Sequence, residues 1–145
     1  MLTSIILLAA GKGSRIGKPK AELRLLGKTL LDLNLALFSK LPFPHEVIVV
    51  RRGGKTRHDS VRIGHKRAKG KLVILHNVAN PLASVADFVS IRQQLLRKDC
   101  ACFVGQKIVD TVRQVSGTVS ITIPRDNLWR AQTPQGFRRA ALGRL

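Results

Sequence analysis

The stretch from Leu7 to Lys20 reads Leu-Leu-Ala-Ala-Gly-Lys-Gly-Ser-Arg-Ile-Gly-Lys-Pro-Lys, an apolar run that ends abruptly in glycines and cations. The small side chains of Ala9 and Ala10 allow a ligand to approach the backbone. Gly11 and Gly13 can adopt positive φ and expose their N–H groups. Four cations surround this turn: Lys12, Arg15, Lys18 and Lys20. Because bare N–H groups and nearby cations bind phosphate, the stretch predicts a phosphate-binding loop after a first strand.

Two familiar phosphate-binding patterns do not fit this loop. The dinucleotide pattern G-x-G-x-x-G fails because Gly17 falls one residue too late. The P-loop pattern fails because Gly17-Lys18 is followed by Pro19 where Ser or Thr is required. An ordinary glycine-rich turn with solvated lysines therefore stays open at this point, and the rest of the chain must decide.

The charge of the chain is strongly positive. The 145 residues include 26 Lys and Arg against 8 Asp and Glu, which gives a net charge of +18. Such a balance favours polyanionic partners such as nucleotides, nucleic acid or anionic membranes. The cations are spread along the whole chain, and with no tyrosine and one tryptophan it shows no interleaved aromatic platform for stacking bases. We therefore expect no specific nucleic-acid partner.

The apolar start of the chain could suggest a signal peptide. Residues 2–10 lack a preceding cationic segment, and the glycines and cations that follow suit a first strand better. No apolar run approaches the length needed to span a bilayer. We expect a bacterial cytoplasmic protein without a membrane partner.

Apolar runs alternate with helical patterns along most of the chain. Strands are predicted at residues 5–10, 46–50, 71–76 and 100–104, and helices at residues 29–41, 59–68 and 84–98. Ser84 and Asp87 form the spacing of a capping box at the start of the last of these helices. This alternation predicts one α/β domain over residues 1–145 with a mostly parallel sheet, whose ligands bind at the carboxyl ends of the strands.

The alternation breaks near the end of the chain. Residues 110–115 and 118–123 read as two β-rich segments joined through Ser116-Gly117, which predicts a projecting β-arm over about residues 107–125. Val119, Ile121 and Ile123 alternate with polar residues, so one face of the arm should be buried, often by a second subunit. A last helix is expected over residues 137–145.

Five segments resemble one family, in the same order along the chain. Leu-Ala-Ala-Gly-x-Gly-x-Arg, followed by Pro-Lys, resembles the opening of nucleotidyltransferases that activate sugars and polyols. The other segments match the motifs of 2-C-methyl-D-erythritol 4-phosphate cytidylyltransferases of the non-mevalonate isoprenoid route. They are Gly53-Gly54-Lys55-Thr56-Arg57-His58-Asp59-Ser60-Val61, His76-Asn77-Val78-Ala79-Asn80-Pro81, Asp110-Thr111-Val112-Arg113 and Arg125-Asp126-Asn127-Leu128-Trp129-Arg130-Ala131-Gln132-Thr133-Pro134-Gln135-Gly136-Phe137.

The resemblance implies a Rossmann-like nucleotidyltransferase sheet and transfer of a cytidylyl group from CTP to 2-C-methyl-D-erythritol 4-phosphate. Magnesium would bridge the triphosphate, and no residue is assigned to it. The catalytic residues implied are Arg15, Lys20 and Arg125. CTP would be bound by Ala9, Ala10, Gly11, Gly13, Gly54 and Ser60. The polyol phosphate would be bound by Thr111, Arg125, Thr133, Asn77 and Asn80.

Three departures from the family pattern keep alternatives open. The family motif His-Asp-Ala-Ala-Arg-Pro has Asp and Arg where this chain has Asn77 and Asn80. The stretch between Val50 and Gly53 is shorter than in the family. The sequence also ends soon after Phe137, before a strand and helix that carry an Asp and a Lys in the family, so we expect a shortened member. A working cytidylyltransferase, a non-catalytic homologue and a basic nucleic-acid-binding protein on the same fold are the three hypotheses.

The arm leads to an expectation about assembly. In the family it reaches a second subunit and helps to complete that subunit's site. An isolated two-stranded hairpin is marginally stable in water, so this arm needs a surface to pack on. We therefore expect a homodimer in which Arg125 of one chain serves the pocket that holds Arg15 and Lys20 of the other.

Overall fold

The computed structural model describes residues 1–11, 13, 16–97 and 100–144. Its strands are β1 (Thr3–Leu8), β2 (Arg24–Leu25), β3 (Lys28–Thr29), β4 (His45–Val50), β5 (Leu72–Asn77), β6 (Ala101–Lys107), β7 (Val112–Ser116), β8 (Val119–Ile123) and β9 (Trp129–Arg138). Its helices are α1 (Leu30–Phe38), α2 (Arg57–Arg67), α3 (Val85–Arg97) and α4 (Arg139–Leu142), and a 3-10 turn spans Lys20–Glu22.

The central sheet has five strands in the order β4-β1-β5-β9-β6. β1 lies between β4 and β5 and pairs with both in parallel, so that Ile5 faces Val47 on one side and Ile74 on the other. Ile5, Ile6 and Leu7 are fully buried because helices cover both faces of this strand. A continuous apolar run is typical of such a strand, and the mostly parallel α/β prediction is confirmed.

β9 is a ten-residue strand where part of a last helix was expected. It runs antiparallel between β5 and β6, and Phe137 pairs with Val73 and Ala101. The expected helix over residues 137–145 is therefore wrong at its start, and the helix found is only α4. Pairing with two neighbouring strands, together with packing of Phe137 against the core, outweighs the local helical pattern.

The helices divide between the two faces of the sheet. Residues of α1 and α3 pack with Ile5, Leu7 and Ile74 on one face, and those of α2 and α4 pack with Ile6 and Val73 on the other. The expected capping box of α3 is present: Asp87 N donates to Ser84 Oγ at 3.2 Å and Ser84 N donates to Asp87 Oδ2 at 2.7 Å. These helices fix the carboxyl ends of β4, β1 and β5 at one edge of the sheet.

The β-arm forms as expected, since β7 and β8 pair antiparallel around a turn in which Gly117 has a φ of 58°. Its apolar face is not buried within this chain, because Val119 and Ile121 are 62% and 54% exposed. The expected burial of this face, for which a second subunit is one candidate surface, stays a prediction. The arm projects from the sheet with apolar side chains in contact with solvent.

None of the helices in the described ranges is both long enough and apolar enough to cross a membrane.

Candidate active site

Three loops meet at the carboxyl ends of β1, β4 and β5. They contribute Ala9, Ala10 and Gly11, then residues 51–54, then residues 77–79, to the lining of an open cavity of about 1070 Å³, here called the cleft. The position agrees with the rule that ligands of parallel α/β sheets bind beyond the carboxyl ends of the strands.

The loop after β1 forms one wall of the cleft. Ala9 N donates to Val50 O at 3.0 Å, which ties the loop to the end of β4. Gly13 is buried beneath the loop with a φ of 64°, and a Cβ there would lie 1.7 Å from Lys18 O. Gly13 therefore shapes the turn and does not line the cleft. The expected catalytic residue Arg15 lies outside the described residues.

The cleft is lined by more cations than carboxylates. Its charged lining residues are Lys20, Arg51, Arg52, Arg57, Glu22 and Asp32. Asp32 already accepts a hydrogen bond from Thr29 Oγ1 at 2.6 Å, at the start of α1. The excess of positive charge suits a polyanionic ligand, and Lys20 lies half-buried at the start of the 3-10 turn.

Two adjacent glycines allow the loop after β4 to pack closely on α2. A Cβ at Gly53 would lie 2.4 Å from Ser60 Oγ and 2.8 Å from Ala10 Cβ, and one at Gly54 would lie 2.1 Å from Asp59 Cβ. Ser60 is buried, and its hydroxyl donates to Thr56 O at 3.1 Å. The structure thus brings Ala10, Gly54 and Ser60 to one wall of the cleft, as the sequence led us to expect.

A second cavity of about 450 Å³ adjoins the cleft, here called the amide cavity. Its lining residues are Arg57, Asn77, Ala79, Asn80, Ala131, Gln132, Thr133 and Gln135. Asn80 Nδ2 donates to Thr133 O at 2.8 Å, and Asn77 N donates to Thr133 Oγ1 at 3.4 Å. Three of the five residues expected to bind the polyol phosphate, Asn77, Asn80 and Thr133, are therefore close together. They come from the end of β5, from the loop that follows it and from β9.

His76 supports this loop from beneath. Its Nε2 donates to Asn80 O at 3.1 Å, and its ring packs edge-on against Phe38 and Phe88. Burial lowers the pKa of His76 to about 4, although the bond to Asn80 and the charge of Asp87 act in the opposite direction. The side chain is thus neutral near pH 7 and acts as a structural support for the amide cavity.

Arg57 is a site residue that the sequence reasoning missed. It is the first residue of α2, and its guanidinium NH1 donates to Asn77 Oδ1 at 2.8 Å. It lines both the cleft and the amide cavity. Its place within the Gly-Gly-x-x-Arg-x-x-Ser-Val motif was the signal that could have identified it.

Two expected site residues lie apart from the others. Thr111 and Arg125 are exposed at the base of the β-arm, and neither lines the cleft or the amide cavity. The single chain therefore does not bring Arg125 together with Lys20.

The described residues show no group of three or more His, Cys, Asp or Glu side chains that could hold a metal ion. Protein-bound Mg²⁺ commonly takes only one or two carboxylates and completes its shell with phosphates and water. Glu22 and Asp32 are the carboxylates that line the cleft. These residues fit a magnesium ion carried by a triphosphate and do not form a dedicated metal cage.

Comparison with known proteins gives one family. Residues 33–144 match the family model described as 2-C-methyl-D-erythritol 4-phosphate cytidylyltransferase. The chain is similar to the proteins of that name from Aquifex aeolicus, at 37% identity over 158 residues, and Aromatoleum aromaticum, at 32% over 171 residues. The matches cover 98% and 96% of this chain, respectively, and 73% of each relative.

Solved structures give the same result. The structure of the enzyme of that name from Thermus thermophilus superposes with a TM-score of 0.76 at 28% identity, over 93% of this chain and 70% of that one. The structure from Francisella tularensis superposes with a TM-score of 0.77 at 28% identity, over 96% and 73%.

Proposed function

This chain belongs to the 2-C-methyl-D-erythritol 4-phosphate cytidylyltransferase family, and from that we propose that it catalyses the reaction for which the family is named. The cytidylyl group of CTP is transferred to 2-C-methyl-D-erythritol 4-phosphate, giving 4-diphosphocytidyl-2-C-methyl-D-erythritol and pyrophosphate. The family membership expected from the sequence motifs is confirmed by the family model and the relatives. The reaction places the protein in non-mevalonate isoprenoid biosynthesis.

One observation carries the proposal: the cationic cleft and the amide cavity share Arg57, Asn77 and Ala79. A donor nucleotide and an acceptor polyol must lie side by side for the acceptor oxygen to attack the α-phosphorus in line. Two adjoining cavities of different chemistry suit this requirement. The cleft would bind the donor, and the amide cavity would bind the acceptor.

The base would bind beside Ala9, Ala10, Gly54 and Ser60. Small side chains and glycines leave backbone N–H and C=O groups within reach of a flat heteroaromatic edge. These backbone groups, with the Ser60 hydroxyl, would discriminate cytosine from adenine by hydrogen bonding. A site built around such hydrogen bonds rejects a base that leaves them unpaired.

The triphosphate would lie along the loop after β1, with Gly11 exposing backbone to it. Lys20 would stabilise the charge that develops on the α-phosphoryl oxygens, and Arg15 would assist it as the family motif implies. Magnesium would enter bound to CTP, where it neutralises part of the triphosphate charge.

The acceptor would bind through Asn77, Asn80 and Thr133, whose amides and hydroxyl can hydrogen-bond a polyol. Thr111 and Arg125 would add contacts from the arm of a second copy. The support for this homodimer is the exposed apolar face of the arm, with Val119 at 62% and Ile121 at 54% exposure. We propose a bacterial cytoplasmic location because the donor, CTP, is an intracellular nucleotide.

A pyrophosphate-release assay with CTP, Mg²⁺ and 2-C-methyl-D-erythritol 4-phosphate tests the proposal. We expect release that requires all three components and falls sharply when ATP replaces CTP. Calorimetric titration with CTP and ATP provides the matching binding measurement. Absence of release with intact CTP binding would favour the non-catalytic homologue. Equal binding of CTP and ATP would contradict the assignment of the base site.

A further inference from the structure

Arg57 has a distinctive position in the amide cavity. Every other described residue that lines this cavity is uncharged, and most of them carry amide or hydroxyl groups. The guanidinium of Arg57 therefore supplies the one formal charge among the described lining residues. A ligand that carries an anionic group into this cavity has one positive side chain there to approach.

The hydrogen bond to Asn77 orients this guanidinium without neutralising it. Arg57 NH1 donates to Asn77 Oδ1 at 2.8 Å, and a carboxamide oxygen carries no net charge. Arg57 has five N–H donors in a planar fork, and such forks pair with phosphate oxygens in a bidentate manner. Oriented but still charged, the side chain is suited to binding a phosphate group.

The two asparagines explain why the charge resides at this position. The family motif places Asp at position 77 and Arg at position 80, and this chain has an amide at both. An aspartate at position 77, with an oxygen 2.8 Å from the guanidinium, would form an ion pair with Arg57. Asn80 uses its Nδ2 to hold Thr133 O at 2.8 Å and carries no charge. The net effect of the two changes is an unneutralised cation at residue 57 in place of one at residue 80.

We propose that Arg57 binds the phosphate group of the acceptor, whose oxygen attacks the α-phosphorus of CTP as pyrophosphate leaves. The inference rests on the proposed function, in which the amide cavity holds the acceptor. Asn77 acts as a positioning residue because it orients the guanidinium. The amides and hydroxyl that line the rest of the cavity would bind the hydroxyl groups of the same molecule.

Steady-state kinetics of Arg57→Gln is the central test, with KM measured separately for acceptor and for CTP. Charge-assisted hydrogen bonds are the strong ones, so we expect KM for the acceptor to rise about 10- to 100-fold. The KM for CTP should change by less than about 3-fold. The matched control is Arg62→Gln, the same change on an exposed residue of the same helix that lines neither the cleft nor the amide cavity. Thermal melting of both variants checks that they fold.

Removing the phosphate from the ligand tests the pairing directly. Because 2-C-methyl-D-erythritol lacks the phosphate that attacks CTP, this comparison measures binding by calorimetry without CTP. The difference in acceptor Kd between wild type and Arg57→Gln should disappear when this polyol replaces its 4-phosphate. This comparison is a mutant cycle between one protein charge and one ligand charge. A difference of the same size with both acceptors would mean that Arg57 acts on the fold of the cavity and would overturn the proposal.

Moving the charge provides a second test. Asn80→Arg added to Arg57→Gln should restore part of the acceptor affinity, because a cation then lines the same cavity from another position. Asn77→Asp alone should raise the KM for the acceptor, because its carboxylate would neutralise Arg57. Failure of both variants to behave in this way would contradict the assignment of Arg57 as the phosphate-binding cation of the amide cavity.

Titration with inorganic phosphate separates this inference from the proposed function. If the wild type releases pyrophosphate but Arg57→Gln raises KM only for CTP, or equally for both substrates, the inference fails and the proposed function stands. If the wild type releases none, the proposed function fails, and phosphate binding then decides. Weaker binding by Arg57→Gln than by Arg62→Gln would support a phosphate site at Arg57, and equal binding would overturn it.

Discussion

Two regions of the molecule, strands β1 and β5 of the central sheet and strands β6, β7 and β8, differ in how much of their surface they bury. β1 and β5 each have five of six residues buried, and they form the floor of the cleft. β6, β7 and β8 contain no buried residue. Phe103 on β6 and Trp129 at the start of β9 are each 52% exposed. Val119 and Ile121 in the arm are 62% and 54% exposed.

The single chain buries the apolar side chains of one region and leaves those of the other region exposed. Fully buried strands gain hydrophobic stabilisation of roughly 25 cal/mol per Å² from their own chain. An arm with exposed valine and isoleucine gains little until another surface covers it. The region around β1 and β5, here called the nucleotide half, should therefore fold and bind ligand as a unit. The region of β6, β7 and β8, here called the arm half, should depend on a partner.

The largest effect is expected from a cavity in the buried half. Ile74→Ala removes a fully buried side chain from β5 and should lower the free energy of unfolding by about 2–5 kcal/mol. Ile121→Ala in the arm should lower it by less than about 0.5 kcal/mol at low protein concentration. Urea titration measures both. Equal losses in the two variants would show that the halves do not differ in this way.

The next effect concerns Lys20 in the cleft. Lys20→Ala should reduce turnover by on the order of 10²–10³, because it removes a donor aimed at developing phosphoryl charge. Its melting temperature should stay close to that of wild type. Lys40→Ala, which removes an exposed lysine after α1, is the control. If Lys20→Ala turns over at the control rate, Lys20 does not stabilise the reaction.

A pH-dependent effect is expected from His76 beneath the amide cavity. Burial lowers its pKa to about 4 in the fold, whereas an exposed histidine has a pKa near 6.5. The unfolded chain therefore takes up a proton first, and stability is lost as pH falls from about 6.5 to about 4, by roughly 3 kcal/mol in total.

His76→Gln keeps a donor for Asn80 and should flatten this pH dependence. Denaturant titration at several pH values measures the slopes. Glu46 and Asp59 also lose stabilisation in acid, because their pKa values are lowered, so the difference between wild type and His76→Gln is the diagnostic quantity. An identical slope in the two proteins would show that folding does not lower the pKa of His76.

The smallest effect concerns the arm half. Mixing Lys20→Ala protein with Arg125→Ala protein should restore activity to about a quarter of wild type, because half of the randomly formed dimers are mixed and each carries one intact site. Each protein alone serves as control. Light scattering at micromolar concentration should show a dimer. A monomer, or no recovery after subunit exchange, would mean that Arg125 does not complete a neighbouring site.

Local patterns predicted much of the cleft. Ala9 and Ala10 end a predicted strand, the glycine at position 54 lies in the loop after the next predicted strand, and Ser60 lies at the start of the predicted helix after that loop. The structure places all four residues on the cleft lining. Such loops are predictable because the carboxyl ends of parallel strands must meet at one edge of the sheet.

Other features of the fold and of the site could not be predicted from local sequence patterns. β9 was expected to lead into a helix at Phe137, and the role of Arg57 was missed although its motif was recognised. The contact between Asn80 and Thr133 joins residues 53 positions apart in the sequence. Nothing in the periodicity of either segment specifies such a partner, because it depends on which strands become neighbours.

The sequence by itself determined the buried parallel strands, the capped helix after Ser84, the hairpin and the family, since apolar runs, caps, turns and motifs are all encoded over a few consecutive residues. Only the tertiary structure decided that β9 enters the sheet, that Arg57 meets Asn77 at the border of two cavities, and that the arm is left uncovered. The physical reason is that each of these depends on the free energy of packing segments distant in sequence, which no single segment contains.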